Sequence, residues 1–212
     1  GVNIGSETTG LITYMRTDGV QLSSQAIEEL REEIINRHGK DYIPQVPRVY
    51  KSKAANAQEA HEAIRPTSIS RDPEDMSQYL DTEQLKLYEL IWKRTISSQM
   101  QSAELDETSA DISNKNMSIV FRANGSQVSF PGFFIYRDRE DDKILPKLVE
   151  NDKVDLQKAD GEQHFTQPPP RYTDASLIKK MEELGIGRPS TYASILQVLI
   201  NRSYVEKEKG KH

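Results

Sequence analysis

The chemistry in this chain is carried first by a tyrosine two residues from an arginine, in Leu11-Ile12-Thr13-Tyr14-Met15-Arg16-Thr17-Asp18. Leu11-Ile12-Thr13 reads as extended, and at a period of two Tyr14 and Arg16 face the same side. A phenol, with an ordinary pKa of about 10, is a poor nucleophile at neutral pH. A neighbouring guanidinium favours the phenolate and can hold an anionic phosphate. The pair therefore has the means to attack a phosphodiester. A half-buried tyrosine beside a surface arginine would have the same spacing, so spacing alone does not choose.

Two further groups stand out. In Ala60-His61-Glu62-Ala63-Ile64-Arg65-Pro66-Thr67, His61 and Arg65 are four apart, which a helical turn would place on one face. Histidine donates to phosphate oxygens or relays a proton; a satisfied surface pair is the plainer reading. His61-Glu62 is not a zinc motif, because the second histidine of H-E-x-x-H is missing. In Ile186-Gly187-Arg188-Pro189-Ser190-Thr191-Tyr192 a helix opens. Its free amides and positive dipole end, with Arg188, Ser190 and Thr191, make a phosphate cradle, and Arg202 past the far end reaches a neighbouring phosphate. Simple helix capping uses the same residues.

The elements that must position these groups fall into three blocks. Residues 1–103 read as mostly helical. Ser23 or Ser24 caps a helix with Ile27, Leu30 and Ile34 at helical spacing and Gly39 as its stop. A second helix starts near Asp81 with Gln84 as capping-box partner, and Leu85, Tyr88, Trp92 and Ile96 form its core stripe. Residues 104–165 read as strands. Met117 to Arg122 and Gln127 to Phe130 flank Asn124-Gly125, a hairpin signal. Phe130-Pro131-Gly132-Phe133 reads as a strand end and turn, and Asp138 to Asp142 as a solvated acidic loop. Gln163 to Arg171, with prolines at 168–170, reads as an extended linker. Residues 166–212 read as a helix-turn-helix. Thr173 or Asp174 caps a helix ending at Leu184-Gly185, Pro189 takes the first position of the next helix, Asn201-Arg202-Ser203 closes it, and Tyr204-Val205 begins a strand. Helix, turn, helix and strand make a winged-helix pattern.

Composition bounds the class. The chain has 212 residues, enough for a real core, but its 35% hydrophobic content points to a small, divided one. Without cysteine there is no disulfide, thiol nucleophile or zinc ribbon here, which fits a cytoplasmic protein. No apolar run is long enough to span a membrane, and the first residues lack the basic and apolar stretches of a signal peptide. The absence of an initiator Met reads as an internal piece of a longer protein. A net charge of −5 argues against a simple basic nucleic-acid binder, yet residues 171–212 carry eight basic and five acidic groups, a local +3.

Taken together, three segments resemble the signatures of the bacterial type IA DNA topoisomerases. These are Gly10-Leu11-Ile12-Thr13-Tyr14-Met15-Arg16-Thr17-Asp18, His61-Glu62-Ala63-Ile64-Arg65-Pro66-Thr67 and Gly185-Ile186-Gly187-Arg188-Pro189-Ser190-Thr191-Tyr192-Ala193. They occur in the family's order and roughly its spacing, across almost the whole chain. Gly19 departs from the pattern, since the family commonly has serine there.

The resemblance implies an α+β, mainly helical piece of the family's toroid. Residues 1–103 would be the helical domain with the active-site tyrosine, 104–165 part of the β-rich arch, and 166–212 part of the DNA-binding base. The Toprim domain, with its Mg²⁺-binding acidic cluster, catalytic Glu and Lys, would lie elsewhere in the same chain; no D-x-D-x-E is present here. The implied reaction is ATP-independent. Tyr14 attacks single-stranded DNA, becomes linked to the 5′-phosphate, and the strand is rejoined after passage, relaxing negatively supercoiled duplex. By resemblance Arg16 holds the scissile phosphate and His61 bonds a phosphate or a catalytic carboxylate. Asp18 and Arg65 position these groups, while Arg188, Ser190, Thr191 and Arg202 contact the entering strand. The enzyme would work in the cytoplasm on the nucleoid, and the 212-residue piece alone would be inactive. A topoisomerase III or reverse gyrase would share these motifs. A non-catalytic winged-helix DNA-binding module would explain residues 171–202 but leave Tyr14, Arg16 and His61 idle.

Overall fold

A computed structural model describes residues 1–17, 19–51, 61–114, 116, 118–139 and 141–208. A short antiparallel pair, β1 (Val2–Ile4) and β2 (Glu7–Thr9), leads into the tyrosine segment. Helix α1 (Ser24–His38) follows. The Ser23 hydroxyl accepts from the Ala26 amide at 3.3 Å, as expected of the cap. Gly39, at φ +93°, stops the helix where a side chain would be strained. Ala26, Leu30 and Ile34, four apart, form its buried face, and Ile27 is only half-buried.

After the short α2 (Pro73–Met76) comes α3 (Thr82–Ser98). Asp81 and Gln84 close the expected capping box at its start. Its buried face is Tyr88, Trp92, Thr95 and Ile96, with Leu85 half-exposed, so the stripe begins a turn later than the sequence pattern indicated. These residues join Leu11, Leu30, Ile34, Ile69, Met76 and Met100 in one core. Two polar ties fix what runs alongside. The Trp92 indole donates to the Ile69 carbonyl at 2.8 Å, and the Tyr88 hydroxyl to the Arg71 carbonyl at 2.7 Å. They hold the chain just beyond the His61–Thr67 segment against α3.

The second block is a two-stranded antiparallel ribbon, β3 (Glu104–Ser113) and β4 (Val120–Phe130). Here the sequence reading is corrected. Asn124-Gly125 does not form a hairpin turn; it lies inside β4, opposite Ser109 and Thr108. The reversal falls between Ser113 and Val120, where the Asn114 side chain accepts from the Ser118 amide at 3.0 Å. Gly125 has a different use. A Cβ there would stand 2.7 Å from the Lys143 carbonyl oxygen, so glycine lets residues 143–145 cross the ribbon. Phe130 ends the strand as expected, and the 3-10 helix Gly132–Tyr136 sends Phe133 and Tyr136 back into the core around α3. In the acidic stretch, Asp142 pairs with Arg139 at 2.6 Å. From Gln163 to Arg171 the chain forms neither helix nor strand.

The third block holds α4 (Asp174–Glu183) and α5 (Tyr192–Asn201). Thr173 caps α4, and Leu184-Gly185 ends it, as the sequence indicates. Pro189 is not the first residue of α5. It sits in a turn closed by the Thr191 amide on the Arg188 carbonyl at 2.8 Å, three residues ahead of the regular helix. Proline's fixed φ suits that turn as well as it suits a helix start. Tyr204-Val205 does not form a strand among the described residues. Ser203, at φ +55°, reverses the backbone, and the Tyr204 amide returns to the Leu199 carbonyl at 3.0 Å, so these residues finish α5 instead. The architecture is therefore α+β, with two small antiparallel ribbons and helices supplying the core.

Candidate active site

The tyrosine segment and the histidine segment, some fifty residues apart, are stitched side by side. Leu11 is buried in the core and fixes the register. Ile12 pairs antiparallel with Pro66, the Thr13 amide donates to the Arg65 carbonyl at 2.9 Å, and the Thr67 amide to the Leu11 carbonyl at 2.9 Å. The Thr13 hydroxyl donates to the Ala63 carbonyl at 2.9 Å and accepts from the Arg65 amide at 3.0 Å. The chain then leaves this contact and returns to the same segment at Gln21, whose carbonyl accepts from the Ala63 amide at 2.8 Å. Both ends of a loop, Thr13 and Gln21, are thus tied to residues 61–67, and Tyr14, directly after Thr13, is 80% exposed.

This arrangement corrects the helical turn expected for His61 and Arg65. The segment is extended because its amides and carbonyls serve Leu11, Thr13 and Gln21, leaving none for an i to i+4 ladder. His61 and Arg65 accordingly face different partners. His61 Nε2 lies 3.2 Å from Arg16 Nη1. Arg65 turns to Glu62, with Nε at 2.8 Å from Oε1 and Nη2 at 3.2 Å from Oε2, and gives Nη1 to the Pro66 carbonyl at 2.8 Å. Its fork is occupied, which suits a residue that positions the segment. Arg16, two residues from Tyr14, is thus the residue that meets His61. Asp18, the remaining residue of the expected set, lies outside the described residues.

Glu62 was singled out in the sequence only to dismiss a zinc motif, yet it is a junction. Its Oε1 accepts both from Arg65 and, at 3.0 Å, from the Ser23 amide at the cap of α1. Burial pushes its carboxyl up, but the Arg65 and Ser23 hydrogen bonds outweigh that and hold it below the ordinary carboxylate range. Behind the same peptide sits Gly19, where a Cβ would meet the Glu62 carbonyl oxygen at 2.7 Å and that of His61 at 2.8 Å. The Glu62–Arg65 spacing of three was the available signal for the first. For Gly19 the sequence shows only the departure from the family's usual serine, since a close approach between distant segments leaves no local pattern.

The expected DNA-contacting residues form a separate group. Arg188 donates Nη1 to the Gly187 carbonyl at 2.9 Å, and Thr191 bonds the Arg188 backbone through its hydroxyl. Arg188, Ser190, Thr191 and Arg202 are all exposed, the first three before α5 and the last just after it. Their described hydrogen bonds are local, so the structure gives no direct tie between them and Tyr14.

The site offers little to a divalent cation. Among the described residues no three His, Asp or Glu side chains come close enough to hold a metal. Glu62, the carboxylate beside His61, is committed to Arg65 and Ser23. These donors do not fit a Mg²⁺ centre.

A family model described as DNA topoisomerase matches residues 7–212. DNA topoisomerase 1 of Rickettsia bellii is 54% identical over 218 residues, covering 100% of this chain and 27% of that protein. DNA topoisomerase 1 of Xylella fastidiosa (strain Temecula1) is 49% identical over 219 residues, covering 98% of this chain and 27% of its own length. Among solved structures, full-length topoisomerase I from Thermotoga maritima superposes with a TM-score of 0.81 at 37% identity, over 99% of this chain and 34% of its own. The chain thus spans about a quarter of the length of these curated relatives.

Proposed function

Since the chain belongs to the bacterial type IA DNA topoisomerase family, we propose that it carries the half of the active site that forms the covalent bond to DNA. The observation that carries this reading is the Tyr14 loop, tied at both ends to the segment bearing His61, with the tyrosine exposed and Arg16, two residues on, in contact with His61. The Tyr14 oxygen attacks the phosphorus of a single-stranded phosphodiester. One P–O bond forms to tyrosine as the bond to the 3′ oxygen breaks; the phenol gives up its proton and the departing oxygen takes one. The 5′-phosphate stays on Tyr14, and the free 3′-hydroxyl reverses the step after strand passage. Phosphate-bond energy is conserved in the ester, so no nucleotide is needed.

Arg16 stabilises the charge that develops on the non-bridging oxygens. His61 accepts from Arg16 through Nε2; when Arg16 turns to the phosphate, Nε2 is left free to take a proton and then to donate to the same phosphate. Asp18 and Arg65 position the pair. Arg188, Ser190, Thr191 and Arg202 hold the backbone of the entering strand, where contacts fix register and read little sequence. Residues 1–103, 104–165 and 166–212 would serve as tyrosine domain, arch segment and DNA-binding base. The Toprim domain of the longer chain would bring Mg²⁺, which supplies charge neutralisation at the phosphate. The substrates would be single-stranded and negatively supercoiled DNA, handled in the cytoplasm at the nucleoid. Among the described residues no helix is long and apolar enough to cross a membrane.

The test uses the full-length protein with Mg²⁺ and a single-stranded oligonucleotide labelled at its 3′ end. Denaturing electrophoresis should show label carried on protein in the wild type and none in Tyr14→Phe. Adducts in both would move the nucleophile elsewhere. Adducts in neither, with oligonucleotide binding intact, would favour a non-catalytic DNA-binding module.

A further inference from the structure

We propose that Glu62 is a positioning residue that sets His61 against Arg16 by anchoring the histidine segment to the start of helix α1. The inference rests on the reading of Tyr14 as nucleophile, but its structural content does not.

Three contacts from residues 19–23 converge on His61–Ala63. Gly19 lies so close to it that there is no room for a Cβ. The Gln21 carbonyl accepts the Ala63 amide at 2.8 Å. The third contact is made by a side chain: Glu62 Oε1 accepts the Ser23 amide at 3.0 Å. Ser23 also caps α1 through its hydroxyl, so the carboxylate sits at the positive end of a 15-residue helix. The same carboxylate holds Arg65, whose carbonyl accepts the Thr13 amide. One acidic side chain therefore links the His61 segment to α1 and, through Arg65, to the tyrosine segment.

His61 itself has few restraints of its own. Its Nε2 meets Arg16, and its Nδ1 is buried without a hydrogen-bond partner among the described residues. A ring without a second bond is oriented by its backbone, and that backbone is placed by its neighbour. Removing the Glu62 carboxylate frees the segment at the residue adjoining His61. A displacement of about 1 Å at a reacting centre can cost about 10²-fold in rate.

The experiment is a double-mutant cycle in the full-length protein, read by the rate of covalent adduct formation on the 3′-labelled oligonucleotide. Glu62→Ala should slow adduct formation by roughly 10- to 100-fold. In a His61→Ala background it should add little, because it acts through the ring that is already gone. Equal loss in both backgrounds would overturn the proposal, as would an unchanged rate in Glu62→Ala. Glu62→Gln, which keeps the shape and one acceptor oxygen for Ser23, should recover most of the rate; if Gln is as slow as Ala at an unchanged melting temperature, charge and not anchoring is the cause. A crystal structure of full-length Glu62→Ala gives the second readout. The Arg16–His61 contact should open beyond hydrogen-bonding distance, and its persistence would reject the idea without reference to activity. Absence of an adduct in the wild type would instead defeat the assignment of Tyr14, leaving the crystal structure to decide on Glu62.

Discussion

Arg16 Nη1 stands 3.2 Å from His61 Nε2, and only one of the two can donate. A guanidinium has no acceptor, so His61 must offer the lone pair on Nε2 and carry its proton on Nδ1. That Nδ1 is buried with no hydrogen-bond partner among the described residues. Unsatisfied buried donors are uncommon and mark places where a structure waits for something or stores strain. Here the ring is held facing an arginine whose donors a phosphate would also claim. Phosphate arrival at Arg16 would leave the Nε2 lone pair free to take a proton, and only then can Nε2 donate to the same anion, which ties the two residues into one response.

Arg16→Ala should therefore do more than remove a charge. Loss of a single preorganised donor at a developing oxyanion typically costs about 10²–10³ in rate. The same fall is expected in adduct formation by the full-length variant. The salt dependence of oligonucleotide binding should lose about one phosphate contact, a change in log-log slope of about 0.7 for single strands. A slope equal to wild type would mean that Arg16 stays on His61 throughout.

The 212-residue chain alone should not relax DNA. Tyr14 and its supports are present, but the described residues hold no acidic cluster able to bind a cation. A supercoiled-plasmid assay with Mg²⁺ should show no relaxed topoisomers from the chain alone and a full ladder from the full-length protein. Relaxation by the chain itself would show that its own residues complete the centre.

Local chemistry made much of this legible. The caps at Ser23, Asp81 and Thr173, the stop at Gly39 and the Tyr88–Trp92–Ile96 face follow from side chains within a few residues of each other. Two of the readings that failed depend on distant segments. Asn124-Gly125 carries a strong turn signal, but the crossing of residues 143–145 uses the glycine inside a strand. The His61–Arg65 spacing suits a helix, but Leu11, Thr13 and Gln21 claim its backbone groups first. At the candidate site, Tyr14, Arg16 and His61 were visible as residue types. The junction role of Glu62 was not, because the Ser23 amide that reveals it lies 39 residues away.

The tie between Tyr88 and the Arg71 carbonyl predicts a response to alkali. Burial raises the Tyr88 phenol to about 12, with the charge of Arg71 lowering it and that of Asp72 raising it. A group whose pKa is raised in the folded state contributes stability below its unfolded value, about 10 for tyrosine. That contribution is lost as pH climbs through the folded value. The melting temperature should fall between about pH 10 and 12, and Tyr88→Phe should flatten that limb. At pH 7 the same variant loses one hydrogen bond, a cost of about 1 kcal/mol. An unchanged alkaline limb would show that other groups govern it.

Gly19 gives the sharpest steric prediction. Its would-be Cβ meets two backbone oxygens, those of His61 and Glu62, at 2.8 and 2.7 Å, and neither can swing aside as a side-chain tip could. Gly19→Ser must therefore push residues 61–62 away or lift residues 19–23 off them. Overpacking of this kind costs about 1–3 kcal/mol. Either movement acts on the peptide that carries His61, so the 3.2 Å contact to Arg16 should lengthen. The full-length Gly19→Ser protein should melt lower and form adduct more slowly, with the rate loss largely absent in a His61→Ala background. A serine variant with wild-type melting and rate would mean that the two segments can separate at no cost, and that the closeness seen at Gly19 is incidental to the site.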